Sequence, residues 1–190
     1  MSASGGMLFV ISSPSGGGKS TVIDELRKRN GKLSYSVSAT TRPPRKDEKE
    51  GIDYFFWDKE TFRKKIEEHA FIEWAKVHGD YYGTLRDQID RYLAEDRKVL
   101  LDVDIQGGLS LKKAEPQTVL IFLLPTSLEV LEKRLLARGT DSAETIARRI
   151  EVAKKEIERV DQYDFQIVND NLEDTVKELQ TIIQECSRGI

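Results

Sequence analysis

Apolar and polar positions follow two rhythms along the chain. Met7 to Ile11 is a short apolar run that stops at a Ser/Pro/Gly cluster, which predicts a strand and then a loop. Lys19 to Arg29 follows with Val22, Ile23 and Leu26 at helical spacing, and Gly31 is its stop signal. Val99 to Val103 and Val119 to Leu124 are near-continuous apolar runs, as in parallel strands buried on both faces, and Phe165 to Val168 is a shorter candidate. Helices are predicted over Leu128 to Ala137, about Ala143 to Val160, and Thr175 to Cys186. The middle one carries the stripe Ile146, Ile150, Ala153 and Ile157, with Asp141 as a candidate cap and Glu144 three residues on.

The stretch from Ser36 to about Tyr92 reads differently. It is rich in aromatics, alternates as half-exposed strands do, and carries the turn signals Pro43, Pro44, Gly51 and Gly79. It predicts a small mixed lobe inserted between two halves of a parallel sheet, so the fold class is α/β.

At 190 residues, with 38% hydrophobic and 33% charged, the chain suits one globular domain. No run approaches the roughly 18 apolar residues of a spanning helix, so no membrane partner is expected. Met1 to Gly6 lacks a basic region followed by an apolar stretch, so no secretory signal is expected. The single Cys186 cannot form an internal disulfide, which fits a reducing, cytoplasmic setting. A net charge of −3 argues against a nucleic-acid partner. Arginines nevertheless gather at Arg42 and Arg45 and at Arg134, Arg138, Arg148 and Arg149, which suggests a small anionic ligand; any one alone reads rather as part of a solvated helix face. Trp57 and Trp74 are expected in the core, and the isolated His69 and His78 at the surface.

Ser13-Pro14-Ser15-Gly16-Gly17-Gly18-Lys19-Ser20-Thr21 lies between the first predicted strand and helix, the context a phosphate-binding P-loop requires. Glycines let successive N–H groups point at phosphate oxygens, Lys19 would reach the β- and γ-phosphates of ATP, and the Ser20 hydroxyl would bind Mg²⁺. Ser13 stands where the pattern usually opens with Gly, which requires a backbone that serine can adopt. Asp102 ends an apolar strand where the second acidic element of such proteins belongs, and Asp104 would point the same way if the strand continues. Either could orient Mg²⁺ or contact an acceptor. No Asn-Lys-x-Asp motif of a GTPase is present, which leaves a small kinase with an Arg-rich segment over the phosphates.

Thr40-Thr41-Arg42-Pro43-Pro44-Arg45-Lys46-Asp47-Glu48-Lys49-Glu50-Gly51-Ile52-Asp53-Tyr54-Phe55-Phe56 resembles the guanylate kinase signature at every fixed position. Phe71 to Trp74, Tyr81 to Thr84 and Leu101 to Gly107 resemble further family segments in order, and the likeness runs over about residues 7–187. The resemblance implies a three-layer P-loop NTPase core with a parallel sheet, an inserted mixed α/β GMP-binding lobe and a helical lid. The expected division is core over 1–35, 95–133 and 161–190, GMP lobe over 36–94 and lid over 134–160. It implies that ATP and GMP are the substrates, with Mg²⁺ as cofactor. By the same resemblance, Arg42, Arg45, Tyr54 and Tyr82 hold the GMP phosphate. Glu73 accepts from the guanine N1–H and 2-amino group, Ser38 and Thr84 donate to O6, and Asp104 touches the acceptor base or a metal-bound water. Arg138 and Arg149 resemble lid arginines that reach the transferring phosphoryl group; Arg134 resembles a third, on ATP phosphates. Asn169 and Asp170 match the loop near the adenine, and Lys19, Arg45, Arg138 and Arg149 are the expected catalytic groups, with Ser20 and Asp102 at the metal. Some bacterial members self-associate, so a homo-oligomer is open. A second reading is an inactive guanylate-kinase-like binding module; the intact Gly18, Lys19 and Ser20 argue against it.

Overall fold

The computed structural model describes residues 5–77, 79–137 and 142–187. His78, Arg138 and Asp141 lie outside the described residues. In chain order, the first elements are β1 (Met7–Ser12), α1 (Lys19–Arg29), β2 (Leu33–Tyr35), β3 (Ala39–Thr40), β4 (Phe55–Phe56), α2 (Lys59–Glu67), β5 (Phe71–Val77), β6 (Asp80–Leu85) and α3 (Arg86–Ala94). The remainder are β7 (Lys98–Asp102), α4 (Ile105–Ala114), β8 (Val119–Leu124), α5 (Leu128–Ala137), α6 (Ala143–Ile157), a 3-10 turn (Val160–Gln162), β9 (Phe165–Val168) and α7 (Leu172–Cys186).

Five strands form a sheet in the order β2-β7-β1-β8-β9. The β2–β7, β1–β8 and β8–β9 pairings are parallel. Every residue of β1 is buried, as are the first five of β8, which is why both read as unbroken apolar runs. The result is the α/β class with a parallel sheet. The other four strands form a mixed sheet, β4-β3-β6-β5, whose β3–β6 and β5–β6 pairs are antiparallel.

Two compact units emerge. One comprises Met1–Leu8, Lys32–Leu101 and Gln106–Thr118; the other comprises Phe9–Gly31, Asp102–Ile105 and Val119–Ile190. In the first, Phe62 of α2 is fully buried and stacks on Phe71 at 4.5 Å and Tyr81 at 5.4 Å. Phe55, Trp57, Ile66 and Leu85 close around it. In the second, α1 packs on α7 and α5 on α6. Val22, Ile23 and Leu26 are the buried face of α1, as their spacing predicts.

Local chemistry moved several boundaries. Strand β7 ends at Asp102 and α4 begins at Ile105, so Asp104 sits in the connection and does not continue the strand. Helix α7 starts three residues before Thr175 because the Asn171 side chain accepts from the Glu173 and Asp174 N–H groups. Ser142 caps α6 by accepting from Thr145 N–H, and α6 ends at Ile157, ahead of a 3-10 turn that begins at Val160. Helix α4, with Gly107 and Gly108 inside it, was not signalled by periodicity. Trp74 is 45% exposed rather than core, because it takes the outward position of β5.

Truncating Phe62 removes a fully buried side chain stacked on two rings. Phe62→Ala should destabilise the protein by about 3–5 kcal/mol, read from urea unfolding midpoints at unchanged slope.

Candidate active site

The loop between β1 and α1 takes its shape from two glycines. Gly16 and Gly18 have φ of 88° and 89°, in the left-handed region. A Cβ on Gly18 would meet Asn169 Nδ2 at 2.7 Å, so a larger residue is excluded by both conformation and space. Among the described residues the positive-φ non-glycines are His69 and Asp96, so Ser13 adopts an ordinary backbone and its departure from glycine costs no strain. Its hydroxyl donates to Pro14 O at 3.1 Å, and Gly17 N–H donates to the same carbonyl at 2.8 Å. Pro14 is buried, and Ser15 is half-buried. Gly18 is the N-cap of α1 and offers no side chain to its first-turn N–H groups, which suits an anion there.

Neighbouring elements hold this loop. Asn169, 6% exposed at the end of β9, donates Nδ2 to Gly17 O at 2.8 Å and accepts from Thr175 Oγ1 of α7 at 3.2 Å. Arg134 of α5 donates Nη1 to the same Gly17 carbonyl at 3.4 Å. A pocket of about 400 Å³ opens beside them, lined by Gly16, Gly18, Thr21, Arg134, Asn169 and Asp170 among others. Lys19 lies across the loop, with Nζ 2.5 Å from Asp102 Oδ1 and donating to Val103 O at 3.0 Å. The fully buried Ser12 donates its hydroxyl to Val103 O at 3.0 Å, fixing the segment that leads to Asp104. Ser20 is exposed on the first turn of α1.

The mixed sheet carries a second polar group. Glu73 is 7% exposed, and Thr84 Oγ1 donates to its Oε1 at 2.7 Å. The strand register places these two opposite each other, next to a bulge between Phe71 and Glu73. Ala39 faces Gly83 and Thr40 faces Tyr82, so the same register carries the buried Ser38 towards Thr84. Glu73 and Thr84 therefore face each other across β5 and β6, and Ser38 precedes β3. Two residues along β6 on the same face is Tyr82, whose hydroxyl accepts from Arg42 Nε at 3.3 Å. Tyr54 sets its ring edge-on to Tyr82 at 6.0 Å, under the Arg42 guanidinium at 5.5 Å. Arg45 is exposed, with Nη1 4.0 Å from Glu48 Oε1.

The guanylate kinase family model matches residues 6–186. The guanylate kinase of Carboxydothermus hydrogenoformans is 46% identical over 178 residues, covering 94% of this chain and 87% of that protein. The one from Thermotoga maritima is 45% identical over 179 residues, covering 94% and 86%. The chain belongs to the guanylate kinase family. A crystal structure of guanylate kinase from Anaplasma phagocytophilum superposes with a TM-score of 0.81 at 33% identity, covering 96% of this chain and 86% of that one.

Against the guanylate kinase roles expected above, the structure groups Gly16, Gly18, Thr21, Arg134, Asn169 and Asp170 around one pocket, Lys19 with Asp102, Arg42 with Tyr54 and Tyr82, and Glu73 with Thr84. Arg149 is half-buried on α6 and Arg148 is exposed. Asp102 and Asp104 fall in the unit that holds Lys19.

Several contributors escaped sequence reasoning. Thr175 orients Asn169, Ser12 fixes the Val103 carbonyl, and Glu48 holds Arg42; a buried hydroxyl or a turn carboxylate has no periodic signature. Glu156 had one, since it follows Arg149 by seven residues and shares its helix face beside Ile146 and Ala153. Its Oε2 is buried without a hydrogen-bond partner. Burial, then the Asp104 charge, push its carboxyl up to about 7, against the opposing pull of Lys19 and Arg159.

A carboxyl raised on folding binds its proton more tightly in the native state, so its contribution is full below about pH 4.5 and is lost as pH rises through 7. Glu156→Gln should therefore raise Tm relative to the unsubstituted protein at pH 8, with the gain shrinking at pH 5, as thermal melts across that range would show.

Proposed function

We propose that the chain transfers the γ-phosphoryl group of ATP to GMP, giving ADP and GDP, in the cytoplasm. The observation that carries the acceptor choice is the buried Glu73 carboxylate, held by the Thr84 hydroxyl. An anionic acceptor inside a protein needs donors from its ligand, and guanine offers two side by side, N1–H and the 2-amino group. Adenine offers neither and would bring the carboxylate no donor in their place. The single Thr84 hydrogen is directed at Glu73, so Thr84 acts first as the group that orients the carboxylate, and Ser38 supplies the hydrogen to O6. Arg42, Arg45, Tyr54 and Tyr82 take the acceptor phosphate.

On the donor side, Gly16 to Thr21 wrap the ATP phosphates, Arg134 neutralises them, and the Asn169–Asp170 turn borders the base. Lys19 uses two of its three donors on Asp102 and Val103, and its third reaches for a phosphate oxygen. Ser20 and Asp102 are hard oxygen donors, and among the described residues no cluster of three acids, histidines or cysteines could cage a metal. That set fits Mg²⁺, which takes one or two protein oxygens and completes its shell with phosphates and water. Held by Ser20 and Asp102, the ion would neutralise the phosphate oxygens. A GMP phosphate oxygen attacks the γ-phosphorus in line, with no covalent enzyme intermediate, while Lys19, Arg138 and Arg149 balance the spreading charge. Asp104 orients the acceptor or a water.

Glu73→Gln tests the acceptor assignment. The amide presents a donor where guanine also donates, so kcat/KM for GMP should fall at least ~100-fold and the preference over AMP should collapse. Full GMP selectivity in that variant would refute the assignment.

A further inference from the structure

Arg42 is held more completely than phosphate binding alone requires. Its Nη1 donates to Glu48 Oε2 at 2.9 Å and to Pro43 O at 2.8 Å, its Nη2 donates to Glu48 Oε1 at 2.9 Å, and its Nε donates to Tyr82 Oη. Four of the five guanidinium hydrogens are thus committed. Both carboxylate oxygens face the fork, the bidentate geometry that fixes a guanidinium in plane as well as in place. The two side chains are only 15% and 17% exposed, so water competes weakly for the pair. Burial would weaken both charges, yet the pairing leaves Arg42 raised and Glu48 lowered from their ordinary ranges. Glu48 also ties the turn itself: Oε2 accepts from Arg45 N–H at 2.7 Å, and Glu48 N–H donates to Arg45 O at 3.1 Å.

The bond to Tyr82 gives this arrangement a direction. Arg42 Nε donates to the phenol oxygen, so the phenol's own hydrogen is not used in that bond and is polarised outward by a cation behind it. The trio of Arg42, Arg45 and Glu48 carries a net charge of +1, so Glu48 tempers the attraction for a dianion while fixing its direction.

We propose that Glu48 is a positioning residue for the acceptor phosphate: it fixes the Arg42 fork, and through it the Tyr82 hydroxyl, in the orientation that receives a nucleoside monophosphate. The inference rests on the acceptor reading given above and assigns Glu48 no contact with substrate.

Calorimetric binding of GMP and of guanosine to the full chain separates this role from a general structural one. Glu48→Gln keeps the side-chain size and one acceptor for the turn but loses the charge and the second acceptor. GMP affinity should fall about tenfold or more, while guanosine, which has no phosphate, should bind as to the unsubstituted protein. In steady state, KM for GMP should rise with KM for ATP unchanged. Glu48→Asp retains the charge but is one methylene too short to span the fork, and should fall between the two; it carries the same comparison should Glu48→Gln fail to fold. Unchanged GMP affinity, or equal losses for GMP and guanosine, would overturn the proposal. Failure of the unsubstituted protein to bind GMP would instead overturn the acceptor reading on which it rests.

Discussion

The hydrogen bond from Asn169 Nδ2 to Gly17 O, at 2.8 Å, is the contact on which the glycine-rich loop between β1 and α1 depends. A loop with two residues at positive φ has no ladder of its own, so something outside must determine it. Asn169 comes from the end of β9, is oriented by Thr175 of α7, and closes over Gly18 so tightly that no Cβ fits beneath it. With the loop fixed, α1 starts at Lys19, and the ammonium group lies against Asp102 and the Val103 carbonyl at the end of β7. Three strand ends and two helices thereby converge on one short run of backbone, as parallel sheets tend to arrange at their carboxyl edges.

The mixed sheet solves a different problem: keeping charge buried but usable. Glu73 sits at a bulge in β5 where alternation breaks and three consecutive residues are buried. Thr84 donates its hydroxyl to the carboxylate and holds it in place. Beneath, Phe62, Phe71 and Tyr81 stack into an apolar floor that resists rearrangement. On the proposed reading, a rigid sheet and a buried carboxylate favour a base that can donate to it.

Much of this was legible in the residue pattern. The buried strands β1 and β8 announced themselves as apolar runs, and α1 by the spacing of Val22, Ile23 and Leu26. The shape of the glycine-rich loop was legible because it needs glycine at particular backbone angles, and glycine is visible in a sequence. What stayed hidden depended on long-range contact. Nothing local to Ser12, Thr175 or Glu48 predicts which carbonyl, amide or guanidinium each will meet. A shared direction for Asp102 and Asp104 needed the strand to continue, and β7 stops at Asp102. Trp74 misled because size suggests burial, whereas its place on β5 dictates the outward face.

The most direct measurement is ADP formation from ATP in a coupled assay, with GMP, AMP, UMP or TMP as acceptor, with and without Mg²⁺. The account predicts turnover with GMP and not the others, lost when Mg²⁺ is removed. Preference for another acceptor, or no turnover by protein shown to be folded, would contradict it.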